Sequence, residues 1–168
     1  ALYLIHVERN ADVVCMTSYA PLFARKNATN WDPDLIYFDN ERPYLTCSYY
    51  VQQMFGQSSA DYFYGDCVLF EGEKTNMQEQ SVVLNTKTRK LYVKICNASG
   101  ETRKANIDLR RFKGMKSAAT LTTLSGQPEQ ENNYEAQPVK PVVEKVKVKG
   151  KMAVELKPYS FIMYTINL

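Results

Sequence analysis

The sequence is short of the residues that most enzymes use to start a reaction. In 168 residues there is one histidine, His6, and one tryptophan, Trp31. A single histidine leaves Ser–His, Cys–His and multi-histidine metal schemes without material, and His6 reads as a structural or solvated side chain. The four cysteines, Cys15, Cys47, Cys67 and Cys96, form no CxxC pair. Their long, irregular gaps fit neither a zinc site nor a redox motif. Each lies in an apolar context and is expected to be a free, buried thiol. Neither a metal nor a cofactor is expected. No apolar run approaches the roughly 18–20 residues of a membrane-spanning helix, and no signal peptide is read. Charge of one sign is also scarce. The balance of 21 basic and 18 acidic residues gives +3, too little to point to nucleic acid or a membrane surface as a partner. An initiator methionine is missing too. The chain opens inside an apolar pattern, Ala1-Leu2-Tyr3-Leu4-Ile5, with no capping residue before it, and is expected to be a fragment of a longer protein.

What is present falls into two textures. Residues 1–10 fit the end of a helix, stopped by Asn10-Ala11-Asp12. The run Val13-Val14-Cys15-Met16-Thr17-Ser18-Tyr19 follows, apolar on both faces, as in a strand of a parallel sheet covered by helices. Ala20-Pro21 ends it, because proline cannot donate to a ladder. A polar loop over 25–30, the segment Trp31-Asp32-Pro33-Asp34 and a second extended run, Leu35-Ile36-Tyr37-Phe38, complete this part. A short helix is expected at about 47–55, capped by Thr46 or Ser48, with Cys47, Val51, Met54 and Phe55 on one face and Gly56 just past its end.

From about residue 60 the pattern becomes that of half-exposed antiparallel strands. Tyr62–Phe70 is aromatic and extended, and Glu71–Gln80 reads as a polar loop. Ser81–Asn85 and Lys90–Asn97 read as a hairpin, with Leu91, Val93 and Ile95 on one face and Tyr92, Lys94 and Cys96 on the other. Further strands are expected around Ala105–Leu109, Ser117–Leu124, Val142–Lys149, Met152–Leu156 and Phe161–Leu168, with a long polar loop at Gly126–Pro141. Val142–Lys149 alternates valine with Lys145, Lys147 and Lys149, which suits a solvated edge that discourages strand pairing. Seven or eight such strands make an antiparallel sandwich or jelly roll.

Candidate chemistry is thin. Asp32, Asp34, Asp39 and Glu41 cluster in sequence, but they read as turn residues rather than as the carboxylate pair of a glycosidase. Trp31 in a polar loop can stack on a sugar or anchor the loop, and Tyr19 can line a pocket or join the core. Asn27-Ala28-Thr29 and Asn97-Ala98-Ser99 match the glycosylation pattern, a pattern common by chance.

Three ordered motifs carry a resemblance. They are Met16-Thr17-Ser18-Tyr19-Ala20-Pro21-Leu22-Phe23, then Trp31-Asp32-Pro33-Asp34-Leu35-Ile36-Tyr37-Phe38, then Ser48-Tyr49-Tyr50-Val51-Gln52-Gln53-Met54-Phe55. With Pro158-Tyr159-Ser160 before a last apolar strand, they resemble α-L-arabinofuranosidases of glycoside hydrolase family 51. The resemblance is dense over 12–56 and looser beyond.

The resemblance implies a mainly β chain: an antiparallel, jelly-roll-like β-sandwich at 57–168, preceded at 1–56 by the remnant (helix, strand, short helix) of a (β/α)8 barrel. It also implies retaining hydrolysis of terminal α-L-arabinofuranosyl groups on arabinan or arabinoxylan. Both catalytic glutamates would then lie upstream of Ala1, on the missing N-terminal barrel, and the fragment alone would be inactive. Barrel sites sit at the C-terminal ends of strands, so Thr17, Ser18, Tyr19 and Trp31 are the substrate-side candidates. The partners implied are an arabinose-containing polysaccharide or oligosaccharide and the missing barrel, and a homo-oligomer is compatible with them. A periplasmic or secreted location is favoured over a cytoplasmic one. The competing reading is a non-catalytic carbohydrate-binding sandwich with an aromatic platform. A barrel strand without its barrel is expected to add to the sandwich, pair with a second chain or be poorly ordered.

Overall fold

The computed structural model describes residues 1–73 and 75–168. Helix α1 spans Leu2–Arg9 and helix α2 spans Cys47–Gly56. Between them lie β1 (Phe23–Arg25), β2 (Ile36–Phe38) and β3 (Pro43–Leu45), a small sheet in which β1 and β2 run parallel. The strands that follow are β4 (Tyr62–Tyr64), β5 (Val68–Phe70), β6 (Gln78–Asn85), β7 (Lys90–Asn97), β8 (Arg103–Asp108), β9 (Ala118–Ser125), β10 (Val142–Lys147), β11 (Lys151–Leu156) and β12 (Ser160–Asn167). They form two antiparallel sheets, one in the order β10-β9-β12-β7-β6-β4 and one in the order β11-β8-β5. The chain is thus mainly β, an antiparallel sandwich led by a helix–strand–helix segment.

The larger sheet is covered on both faces. Leu91, Val93 and Ile95 of β7 and Ile162 and Ile166 of β12 meet Ala105, Ile107 and Leu156 of the smaller sheet. On the opposite face Tyr92, Cys96, Phe161 and Met163 carry Ile5 of α1 and Tyr50 and Met54 of α2. This corrects the expectation of half-exposed strands. The residues from Leu91 through Asn97 are all buried, because two helices close a face that local alternation leaves to solvent. Lys94 lies on that face with no exposed side chain. Its ammonium pairs with Glu8 of α1 at 2.5 Å, and Glu8 also accepts a hydrogen bond from Ser81.

Three further expectations are corrected. Residues 13–19 form no strand and do not add to the sandwich, and Val13, Cys15 and Met16 are exposed. An apolar run becomes a two-sided strand only where neighbours supply ladder partners on its edges and layers on its faces. Among the described residues no strand lies beside it, and the parallel pairing falls instead at β1 and β2. In α2 the expected face of Cys47, Val51, Met54 and Phe55 does pack on the core, joined by the buried Tyr50. Gly56 is the last helical residue rather than the one beyond it. The expected loop at Glu71–Gln80 is shorter, since β6 begins at Gln78, and Lys74 lies outside the described residues.

Other expectations hold. Thr46 caps α2, its Oγ1 accepting from Tyr49 N at 3.2 Å. β10 is an edge strand with its lysines in solvent. The cysteines are free and Cys67 and Cys96 are buried, but Cys15 is exposed and Cys47 half-buried, so burial holds for only two of the four.

Candidate functional site

The segment that fails to form a strand runs along the mouth of a cleft. Thr17, Ser18 and Tyr19 line an open cavity of about 580 Å3 with Tyr3 of α1, Gln52 of α2 and Gln127 of the long loop after β9. That loop is anchored by the buried Asn132. Its Nδ2 donates to Leu45 O at 2.9 Å and to Val139 O at 2.8 Å, and its Oδ1 accepts from Val139 N at 2.9 Å. One side chain thereby fixes the cleft wall to β3. Tyr19 is shared with a neighbouring recess of about 260 Å3 that also contains Asp32, Asp34, Tyr37, Tyr44 and Glu131.

Hydroxyl and carboxylate chemistry converges in this second recess. The Tyr37 hydroxyl accepts from Asp34 N at 2.9 Å and donates to Asp32 Oδ1. Burial pushes the Tyr37 phenol up to about 12, and the hydrogen bond to Asp32 adds to the effect. Burial likewise pushes Tyr44 up to about 12, with Tyr134 and the surrounding carboxylates contributing. Both phenols therefore remain protonated donors well above neutrality. Tyr44 stacks on Tyr37 at 4.7 Å and meets Tyr134 edge-on at 4.6 Å, and the Lys26 ammonium sits 4.5 Å from the Tyr134 ring centroid.

Asp34 is 1% exposed. Its Oδ2 accepts from Thr29 Oγ1 at 3.3 Å, while its Oδ1 has no partner among the described residues. This oxygen is enclosed by its neighbours rather than open to the recess, which Asp34 lines with other atoms.

Thr17, Ser18 and Tyr19 thus share one cleft, and Trp31 stands apart. Its indole is 64% exposed and lines neither cavity. Thr29 Oγ1 bonds both the N–H and the carbonyl of Trp31 and so ties down its backbone. The sequence reading missed Asp34 and the tyrosine pair. Asp-Pro-Asp is ordinary turn chemistry, and only the distant contact with β3 makes this turn a wall. Among the described residues no group of three His, Cys, Asp or Glu is placed to hold a metal ion, and no helix is long and apolar enough to cross a membrane. Of the two sequons, the Asn97 one is structural. Asn97 is buried, and its Nδ2 donates to the carbonyls of Glu101, Lys157 and Leu156.

A family model described as the α-L-arabinofuranosidase C-terminal domain matches residues 1–160. A protein of Aspergillus terreus named "Probable alpha-L-arabinofuranosidase A" is 30% identical over 99% of this chain. Alpha-L-arabinofuranosidase 1 of Arabidopsis thaliana is 49% identical over 35% of it. A solved structure of an arabinose-bound GH51 α-L-arabinofuranosidase superposes on 98% of the chain with a TM-score of 0.88 and 26% identity. The chain spans about a quarter of the Aspergillus protein and of that solved structure, 26% in each case, and 9% of the Arabidopsis protein.

Proposed function

This chain belongs to the family of α-L-arabinofuranosidase C-terminal domains, and from that premise we propose that it is the C-terminal part of a retaining family 51 hydrolase. The complete enzyme releases terminal α-L-arabinofuranosyl groups from arabinan or arabinoxylan. Residues 57–168 serve as the structural partner of a barrel, and residues 1–56 are the end of that barrel. The observation that carries this reading is the family match over 1–160 together with 98% structural coverage by an arabinose-bound relative.

Thr17, Ser18 and Tyr19 then edge the sugar pocket, with Asp34, Tyr37 and Tyr44 lining the recess behind Tyr19. Trp31 has an exposed ring and lines neither cavity. The catalytic glutamates are contributed by residues outside 1–168, so this chain binds or shapes substrate and does not cleave it.

The test is hydrolysis of 4-nitrophenyl α-L-arabinofuranoside by the complete gene product and by residues 1–168. Turnover by the former with retained anomeric configuration, and none by the latter, is the expected result. An inactive complete product, or an active 168-residue chain, overturns the reading.

A further inference from the structure

Residues 126–141, between β9 and β10, form neither helix nor strand. A connection longer than about 12–15 residues without secondary structure is uncommon in a folded domain, and an ordered one is usually functional. This loop is braced from within. At Gly126 a Cβ would meet Val139 Cγ2 at 2.8 Å, so the loop closes tightly where it begins. Gln130 Oε1 accepts from Gln127 N at 2.8 Å. Asn133 Oδ1 accepts from Glu135 N and Ala136 N, each at 2.9 Å.

The loop also crosses from the sandwich to the small sheet of β1, β2 and β3. Asn132, 5% exposed, donates to Leu45 O at 2.9 Å. Two residues further on, Tyr134 meets Tyr44 edge-on and lies under the Lys26 ammonium. A loop of the sandwich is thereby fixed to the part of the chain that carries Tyr19.

What the loop brings there is accessible. Gln127 and Gln130 line the larger cavity, Gln130 and Glu131 line the smaller, and all three residues are exposed. Tyr19, Cys47, Ser48 and Gln130 line both. The two cavities are therefore lobes of one cleft, with Gln130 at their junction. Two joined lobes suit two neighbouring sugars, and a residue at the junction meets the second sugar beside the linkage.

The lining selects the kind of sugar. Among the described residues no charged side chain lines the larger lobe, and the smaller has Asp32, Asp34 and Glu131 with no basic residue. Like charge disfavours an acidic sugar there. The hydroxyls of a neutral sugar, each a donor and an acceptor, match the amides of Gln127 and Gln130 and the hydroxyls of Thr17, Ser18 and Ser48.

We propose that this loop is a specificity element of the substrate cleft. Gln130 contacts the neutral sugar next to the terminal arabinofuranosyl group, and Asn132 is the positioning residue that holds Gln130 in the wall. The proposal rests on the hydrolase reading above and extends it, because the sandwich then supplies part of the site as well as support.

The test compares two substrates of the complete gene product. 4-Nitrophenyl α-L-arabinofuranoside has no second sugar, whereas α-1,5-arabinotriose has one. In Gln130→Ala the ratio of KM for the triose to KM for the aryl glycoside is expected to rise about tenfold, with kcat on the triose within about twofold of the parent. Asn132→Ala should raise the same ratio, whereas a merely structural role would impair both substrates in parallel. Glu129→Ala, in the same loop but lining neither lobe, should keep the parent ratio. If Asn132→Ala does not fold, Gln130→Ala decides alone. An unchanged ratio in Gln130→Ala, with the parent active, overturns the proposal and leaves the hydrolase reading standing. A parent inactive on both substrates overturns both. Parallel loss on the two substrates in a folded Asn132→Ala overturns the positioning role.

Discussion

Glu8 of α1 holds the ammonium of Lys94 at 2.5 Å, across 86 positions of sequence and in the interior of a β-strand. The Phe55 ring of α2 lies 4.9 Å from the same ammonium, so both helices converge on one charge. Burial pushes the Lys94 pKa down, and the Glu8 carboxylate opposes that push. A lysine placed there requires a helix bearing a carboxylate above it, and so the sandwich specifies which surface of α1 it receives.

Breaking this pair from one side is expected to cost more than removing it whole. Loss of one partner of a buried pair costs about 3–5 kcal/mol, whereas a well-packed apolar replacement of both is often close to neutral. Glu8→Gln and Lys94→Met should each sit near the lower figure in urea unfolding, because the Glu8 side chain keeps some contact with water. The double variant Glu8→Leu/Lys94→Met should recover much of the loss. Single variants within about 0.5 kcal/mol of the parent would show that the pair contributes nothing.

The second tie of α1 is sensitive to acid. Burial works to raise the Glu79 pKa, but the hydrogen bond and charge of Arg9 outweigh it, and the net shift is downward from 4.5. A depressed carboxylate contributes stability that is present above the unfolded value and is lost as pH falls through the folded one. Backbone amide signals of α1 should therefore report loosening below about pH 4.5, before β7 and β12 respond. In Arg9→Met this early step should vanish, and an unchanged acid profile in that variant would refute the assignment.

At the alkaline end the sign reverses. Tyr37 is raised to about 12 from 10.0, so its contribution is complete below the unfolded value and is lost as pH rises through the folded one. Tyr37→Phe should flatten the decline in stability between those two values. It also leaves Asp34 N–H and Asp32 Oδ1 without their shared partner, at a cost of about 1–3 kcal/mol. Ultraviolet titration of the phenolates is the direct measurement, and a Tyr37 transition near 10 would contradict the geometry.

Hydrogen exchange should divide the chain sharply. Amides of 13–19 sit in no ladder, whereas those of β7 are enclosed by β6 and β12 on its edges and by a layer on each face. The former should exchange with little protection and the latter only on global unfolding. Protection of 13–19 comparable to β7 would mean that a second copy of the chain pairs with the segment.

Much of the sandwich was legible because its signals are local. The Lys90–Asn97 alternation and the polar Thr86–Arg89 turn mark the β6–β7 hairpin, and the lysines of Val142–Lys149 mark an edge. Lys94 defeated the same logic. Tyr92, Lys94 and Cys96 look like an outer face within their own strand, and the cover comes from Ile5, Tyr50 and Met54, far away in sequence. The run 13–19 failed in the opposite direction. Its residues describe the burial of a strand, and among the described residues no strand lies beside it. At the site, Thr17, Ser18 and Tyr19, chosen by their place in the resemblance, line one cleft, and Trp31 does not join them. Asp34 was hidden because a turn carboxylate and a buried one have the same sequence.

The placement of β12 governs the order in which the molecule can be made. Its residues pair with β7 on one side and β9 on the other, at the centre of the larger sheet. Synthesis therefore delivers both flanking strands before the one that joins them, and the nascent chain waits with two open edges of the kind that invite aggregation. The seam of this sheet is sewn last, and the translating cell has to shelter it until then.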